Sequence, residues 1–107
     1  MRGSNTAAGA VVRWHTASTF VARLLGLLAM PPLARGEALW IAPCRAVHTC
    51  GMSYAIDVVF VSAQGRIVRI VPGLRPWRCA PCLDAAAVAE LRAGEAARLG
   101  WRVGMFL

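Results

Sequence analysis

The sequence predicts a β-dominated α+β domain, a compact small barrel or sandwich carrying two short helices. Three observations lead there. Ile56-Asp57-Val58-Val59-Phe60-Val61 is β-branched and nearly continuous in apolar residues, as in a strand buried on both faces. Ser62-Ala63-Gln64-Gly65 supplies a turn, after which residues 66–71 return as the hairpin partner. Finally, 107 residues with 58% hydrophobic content can bury one core and leave little room for a second domain.

In chain order, residues 1–8 read as a flexible leader and 9–107 as the domain. Ala10-Val11-Val12-Arg13-Trp14 is a short β-type run. Ser18 or Thr19 can then cap a helix whose stripe is Phe20, Val21, Leu24, Leu25 and Leu28 and which Pro31-Pro32 ends. Residues 37–42 read as a strand closed by Pro43. Residues 44–54 are polar and small, with no clean period, and read as a functional or tightly packed loop. Pro72-Gly73 should break the hairpin strand, leaving residues 74–79 as a further extended piece. Asp84 is placed to cap the second helix, through Ala85, Val88, Ala89, Leu91 and Arg92, with Gly94 as its stop. A short helical turn over 95–99 and a last strand over 101–107 complete the core.

All twelve basic residues are arginine, set against five acidic ones for a formal charge of +7. The arginines are dispersed from Arg2 to Arg102 with no basic run, which argues against a specific nucleic-acid groove. The longest uncharged apolar stretch is cut by the proline pair and is far short of the roughly 20 residues of a spanning helix. The first residues lack the apolar segment of an export signal, so the expected compartment is the cytoplasm.

Gly26-Leu27-Leu28, then His48-Thr49…Met52, Ile56-Asp57-Val58-Val59-Phe60-Val61 and Gly65-Arg66-Ile67-Val68, resemble the domain of unknown function 192 family of bacteria and archaea. Pro76-Trp77-Arg78, Ala89-Glu90-Leu91-Arg92-Ala93-Gly94-Glu95-Ala96 and Leu99-Gly100…Val103-Gly104 resemble its carboxy-terminal half, and Pro43-Cys44 one of its subgroups. The resemblance covers residues 10–107 collinearly and implies a small β-rich fold with no established activity. The chain departs from the family pattern at Met105, and at Ser62 and Ala63, where that pattern commonly has acids.

Several constellations carry chemistry. Cys79-Ala80-Pro81-Cys82 has the spacing of a redox dithiol, although not the βαβ setting. With Cys44, His48 and Cys50 it also offers ligands for a tetrahedral zinc. Without an export signal, the four cysteines otherwise read as reduced, small, often buried thiols. Asp57 opens an apolar strand, so it either meets His48 or Arg78 or accepts backbone N–H bonds that fix the 44–54 loop. A His48–Asp57 pair beside Cys44 or Cys50 has the parts for nucleophilic catalysis. Trp14, Trp40, Trp77 and Trp101 read first as core or rim residues, since tryptophan buries much area; an exposed Trp77 between Arg75 and Arg78 can instead stack a planar or anionic ligand.

The reading that results is a binding or accessory module, with no catalytic residue and no cofactor assigned. Its expected site is a cleft of Cys44, His48, Thr49, Met52, Asp57, Trp77 and Arg78, taking a small anionic ligand or a peptide carboxylate. The alternative is a thiol-redox or zinc protein using Cys79 and Cys82 with Cys44, His48 and Cys50. The expected partner is an unidentified small ligand or protein.

Overall fold

The computed structural model describes residues 5–7, 10–17, 33–49 and 54–107. The helix expected over 20–30 lies outside them, as do Cys50 and Met52. Among the described residues the elements are β1 (Asn5–Ala7), β2 (Ala10–Ala17), β3 (Glu37–Ile41), β4 (Ala46–His48), β5 (Ile56–Val61), β6 (Ile67–Leu74), β7 (Cys79–Pro81), β8 (Ala87–Arg92) and the short helix α1 (Glu95–Arg98).

Six strands form one mixed sheet in the order β1-β2-β3-β8-β5-β6, and β4 with β7 forms a separate antiparallel ribbon. The β2–β3 pair is parallel and its neighbours are antiparallel. Among the described residues β1 and β6 are edges, so the sheet is not closed into the barrel that was one expectation, and the ribbon lies against it. β5 is buried along its whole length, as its apolar run requires of a strand near the middle of the sheet.

Side chains alternate between two buried faces. One gathers Leu39, Ile41, Ile56, Val58, Phe60 and Val88 beneath Val47 and Ala80 of the ribbon. The other gathers Val12, Ala38, Val59, Ala89 and Leu91 against Ala96, Leu99, Trp14 and Trp101. There Trp14 stacks on Trp101 with centroids 6.0 Å apart and meets Trp40 edge-on at 5.6 Å.

Four expectations change. The helix expected after Asp84 is instead β8, hydrogen-bonded between β3 and β5. Its alanines favour helix locally, but small residues also let a central strand sit between two neighbours, and the ladder on both sides decides the outcome. Of the helices expected, only the turn at α1 is present among the described residues. Pro72-Gly73 does not end β6; the register shifts there, and Gly73 at φ 58 forms a bulge that carries pairing on to Leu74. The segment 101–107 is not a strand. It folds through Gly104 at φ 100 and meets the start of β6 by one bridge, Arg66 to Phe106. Finally, the 44–54 segment is not all loop, because Ala46–His48 pairs with β7.

Candidate functional site

The ribbon is built from short, small-residue strands whose alternation buries Val47 and Ala80 on the sheet and turns their neighbours outward. The pairs are Ala46 with Pro81, Val47 with Ala80 and His48 with Cys79. Backbone bonds from Cys82 N to Arg45 O (2.8 Å) and Thr49 N to Arg78 O (2.8 Å) fix which pairs are hydrogen-bonded. His48 and Cys79 therefore occupy a non-hydrogen-bonded position, where opposed side chains stand closest, and both are exposed.

At that end of the ribbon, residues 75–78 make a turn pinned by Thr49. Thr49 is fully buried, and its hydroxyl donates to Arg75 O (2.6 Å) with a longer contact to Arg78 O (3.2 Å), while it accepts from Arg78 N (2.9 Å). Trp77 N donates to Thr49 O at 3.1 Å. So held, Trp77 takes a left-handed φ of 62 and stands 67% exposed. Left-handed backbone costs a side-chain-bearing residue about 1–2 kcal/mol, so the turn is kept against its own preference. Arg75 and Arg78 flank it, both exposed, and Arg78 Nη1 donates to Trp77 O at 3.3 Å.

Four of the expected site residues, His48, Thr49, Trp77 and Arg78, thus meet at one end of the ribbon. Cys44 lies four residues up the chain from His48, before β4 begins. It packs against the core and donates its thiol to Ala46 O at 3.1 Å. Asp57 does not line this cleft. It is buried on the opposite face of the sheet, where Oδ1 accepts from Gly73 N (2.8 Å) and Oδ2 from Gly94 N (3.1 Å) and Ala96 N (2.9 Å). Its partners are backbone N–H groups, at the β6 bulge and the start of α1 rather than in the 44–54 loop. Neither His48 nor Arg78 reaches it, so the His48–Asp57 catalytic pair is not assembled.

Cys79 and Cys82 are free thiols. Cys82 N still pairs with Arg45 O, so strand alternation continues and sends the two side chains to opposite sides. Cys79 is exposed, whereas Cys82 packs against the core. Among the described residues no three His, Cys, Asp or Glu side chains converge on a metal position. The dithiol and zinc alternatives therefore lack support in this geometry.

The sequence reading passed over a second polar feature. Glu90, in the middle of β8, is 6% exposed and faces the sheet side that carries Val58 and Leu39, its neighbours on β5 and β3. Among the described residues its carboxyl has no hydrogen bond or ion pair, and burial raises its pKa to about 7. The Tyr54 hydroxyl oxygen is buried, with no hydrogen-bond partner among the described residues. Its pKa is raised by burial and then by the charge of Glu90. An acid isolated inside Ala87-Val88-Ala89-Glu90-Leu91 was the available signal.

Two solved structures share this fold. A protein of unknown function from Novosphingobium aromaticivorans aligns with a TM-score of 0.81 and 25% identity, over 94% of this chain and 78% of its own. A protein from Sinorhizobium meliloti, provisionally described as a transcription regulator, aligns with a TM-score of 0.80 and 22% identity, over 94% and 85%. No curated protein matches the chain in sequence. A family model described as uncharacterized ACR matches residues 3–107. With motifs and model in agreement over nearly its whole length, the chain belongs to the DUF192 family.

Proposed function

We propose that this chain is a binding module whose recognition element is the Arg75-Pro76-Trp77-Arg78 turn, with a small anion or a peptide carboxylate as its ligand. The observation that carries the reading is Trp77, exposed and held at an unfavourable φ by a buried threonine. A structural tryptophan is normally buried for its large apolar area. Keeping one in water, in a strained conformation, makes sense where its face is used. The flanking guanidiniums match the planar fork of a carboxylate, and the indole offers a surface for the ligand's flat part. His48 adds a ring across from Cys79 at the rim. The likeness to the Sinorhizobium protein is one of fold, and the dispersed arginines give no groove, so nucleic acid is not the favoured ligand.

The test is an NMR titration with acetate, benzoate and one short peptide in free-acid and amidated forms. Saturable shifts of the Trp77 indole N–H and Arg78 backbone by benzoate and the free-acid peptide, absent with the amidated one, are expected. Substituting Arg78→Ala should weaken binding about tenfold, the loss of one charged hydrogen-bond pair. No saturable change at Trp77 with any of these acids would sink the proposal.

A further inference from the structure

The ribbon turns one face outward, and that face has a composition of its own. Along its middle Ala46, His48, Cys79 and Pro81 are exposed, while Val47 and Ala80 point to the core. At one end Trp77 stands 67% exposed between Arg75 and Arg78. At the other, Ala85 N donates to Cys82 O at 3.1 Å and closes a turn that carries Leu83 at its tip, 82% exposed. Arg45 lies beside that turn, its carbonyl accepting from Cys82 N, and the Arg69 guanidinium reaches the Pro81 carbonyl from β6. Arg45, Arg69, Arg75 and Arg78 meet no carboxylate among the described residues, whereas Arg13 and Arg98 each hold one. Of the chain's five acids, Asp57, Glu90 and Glu95 are buried and Glu37 is paired with Arg13. That leaves Asp84, exposed beside Leu83, as the single acid set against the ribbon's arginines.

We infer that the outward face of the ribbon docks on an anionic lipid surface. Trp77 and Leu83 enter the headgroup region, and the arginines meet lipid phosphates. The two apolar side chains are at most about 20 Å apart along the chain. A protein partner would call for one closed apolar centre ringed by polar groups, whereas these two tips stand apart, each beside its own arginine. A bilayer accepts separated tips, because each enters the interface independently, an indole at headgroup depth and an aliphatic side chain below it. Single-stranded nucleic acid would stack on aromatic rings, and Leu83 offers none. Guanidiniums match phosphate through a planar fork, and each cation near an anionic leaflet adds attraction that salt screens. The face includes the turn proposed above to bind small acids, but Leu83 lies beyond the reach of such a ligand, so the two readings separate in the test.

The probe is vesicles of phosphatidylcholine and phosphatidylglycerol in equal parts, against phosphatidylcholine alone, read by co-sedimentation. Binding to the anionic vesicles only, weakened by added salt, is the expected result. Leu83→Ser should weaken it about tenfold and Arg45→Gln about fivefold; both positions are exposed, so the fold is kept. Asp84→Asn should strengthen it. Phe106→Ser is the control and should change nothing. Phe106 is 65% exposed with the Arg66 guanidinium 6.0 Å from its ring, but its neighbours Met105 and Leu107 pack on the sheet face away from the ribbon. No binding to anionic vesicles, equal binding to neutral ones, unchanged affinity in Leu83→Ser, or an equal loss in Phe106→Ser overturns the inference. So does self-association in place of vesicle binding, abolished by Leu83→Ser, which would assign the face to a second copy of this chain. A benzoate response at Trp77 without vesicle binding overturns this inference alone; vesicle binding without that response removes only the small-acid reading.

Discussion

Asp57 and Glu90 sit on neighbouring strands, one register step apart and on opposite faces of the same sheet. Both are buried, yet their situations are opposed. Asp57 lies where β6 bulges and α1 begins, two places where backbone N–H groups are left over. Glu90 lies mid-strand, where every nearby backbone group is already spent on the ladder. The depth of burial does not separate the two acids. What separates them is whether the surrounding backbone has donors to spare: one carboxylate becomes a clamp, and the other keeps its capacity open.

The largest expected effect is on the clamp. Asp57→Ala removes the charged acceptor of three backbone N–H groups, that of Ala96 buried, and should cost on the order of 4 kcal/mol in denaturant unfolding. A loss below about 1 kcal/mol would remove the contrast between the acids, since a single ordinary hydrogen bond is worth that much.

For Glu90 the expectation concerns pH. Its folded pKa is raised from 4.5 to about 7, so between those values the folded chain holds a proton that the unfolded chain has released. Stability is therefore full below about pH 4.5, falls as pH rises through about 7, and then levels off. The change attributable to this group is about 3 kcal/mol. Unfolding of Glu90→Gln across that range should lack the decline; a decline of the same size in the variant would place its origin elsewhere.

A smaller effect tests the same principle on the ribbon. Thr49→Val keeps the shape and removes the hydroxyl that ties residues 75 and 78, at about 2 kcal/mol. Thr49→Ser retains the bonds and should cost less than half as much. The smallest change has the opposite sign. Trp77→Gly relieves the left-handed backbone and should stabilise the chain by about 1 kcal/mol while abolishing the response to benzoate. Destabilisation instead would mean that the indole is part of the packing.

Much of the fold was legible where apolar patterning and turn chemistry agreed. Ile56–Val61, the Ser62–Gly65 turn and its returning strand stand as read, because β-branched burial and a glycine turn point the same way. β8 was misread because its alanines carry a helical preference that only partners some thirty and fifty residues away override. Pro72-Gly73 looked like an end and is a bulge, since a proline at an edge strand withholds no needed donor. At the candidate site, Trp77 read first as a core or rim residue, and its exposure follows from the turn that Thr49 holds rather than from its own neighbours in sequence. The clamp by Thr49 was not legible, because it joins a buried hydroxyl to carbonyls twenty-six and twenty-nine residues away. Glu90 escaped notice for the same reason as its strand: which way an acid faces depends on the period of the element carrying it.

The placement of β8 between β3 and β5 has a consequence for the growing chain. The β5–β6 hairpin is local and can form as soon as its turn leaves the ribosome. β1, β2 and β3 can pair among themselves, but the far edge of β3 has no partner among the described strands until residues 87–92 are made. Through that interval β3 and β5 both present bare, apolar strand edges, the kind that recruit strands from other nascent chains. Joining the two halves in one late step makes β8 the point where slow elongation or an early stop does most harm, and a chain cut before residue 87 should be a strong chaperone client rather than a smaller version of the protein.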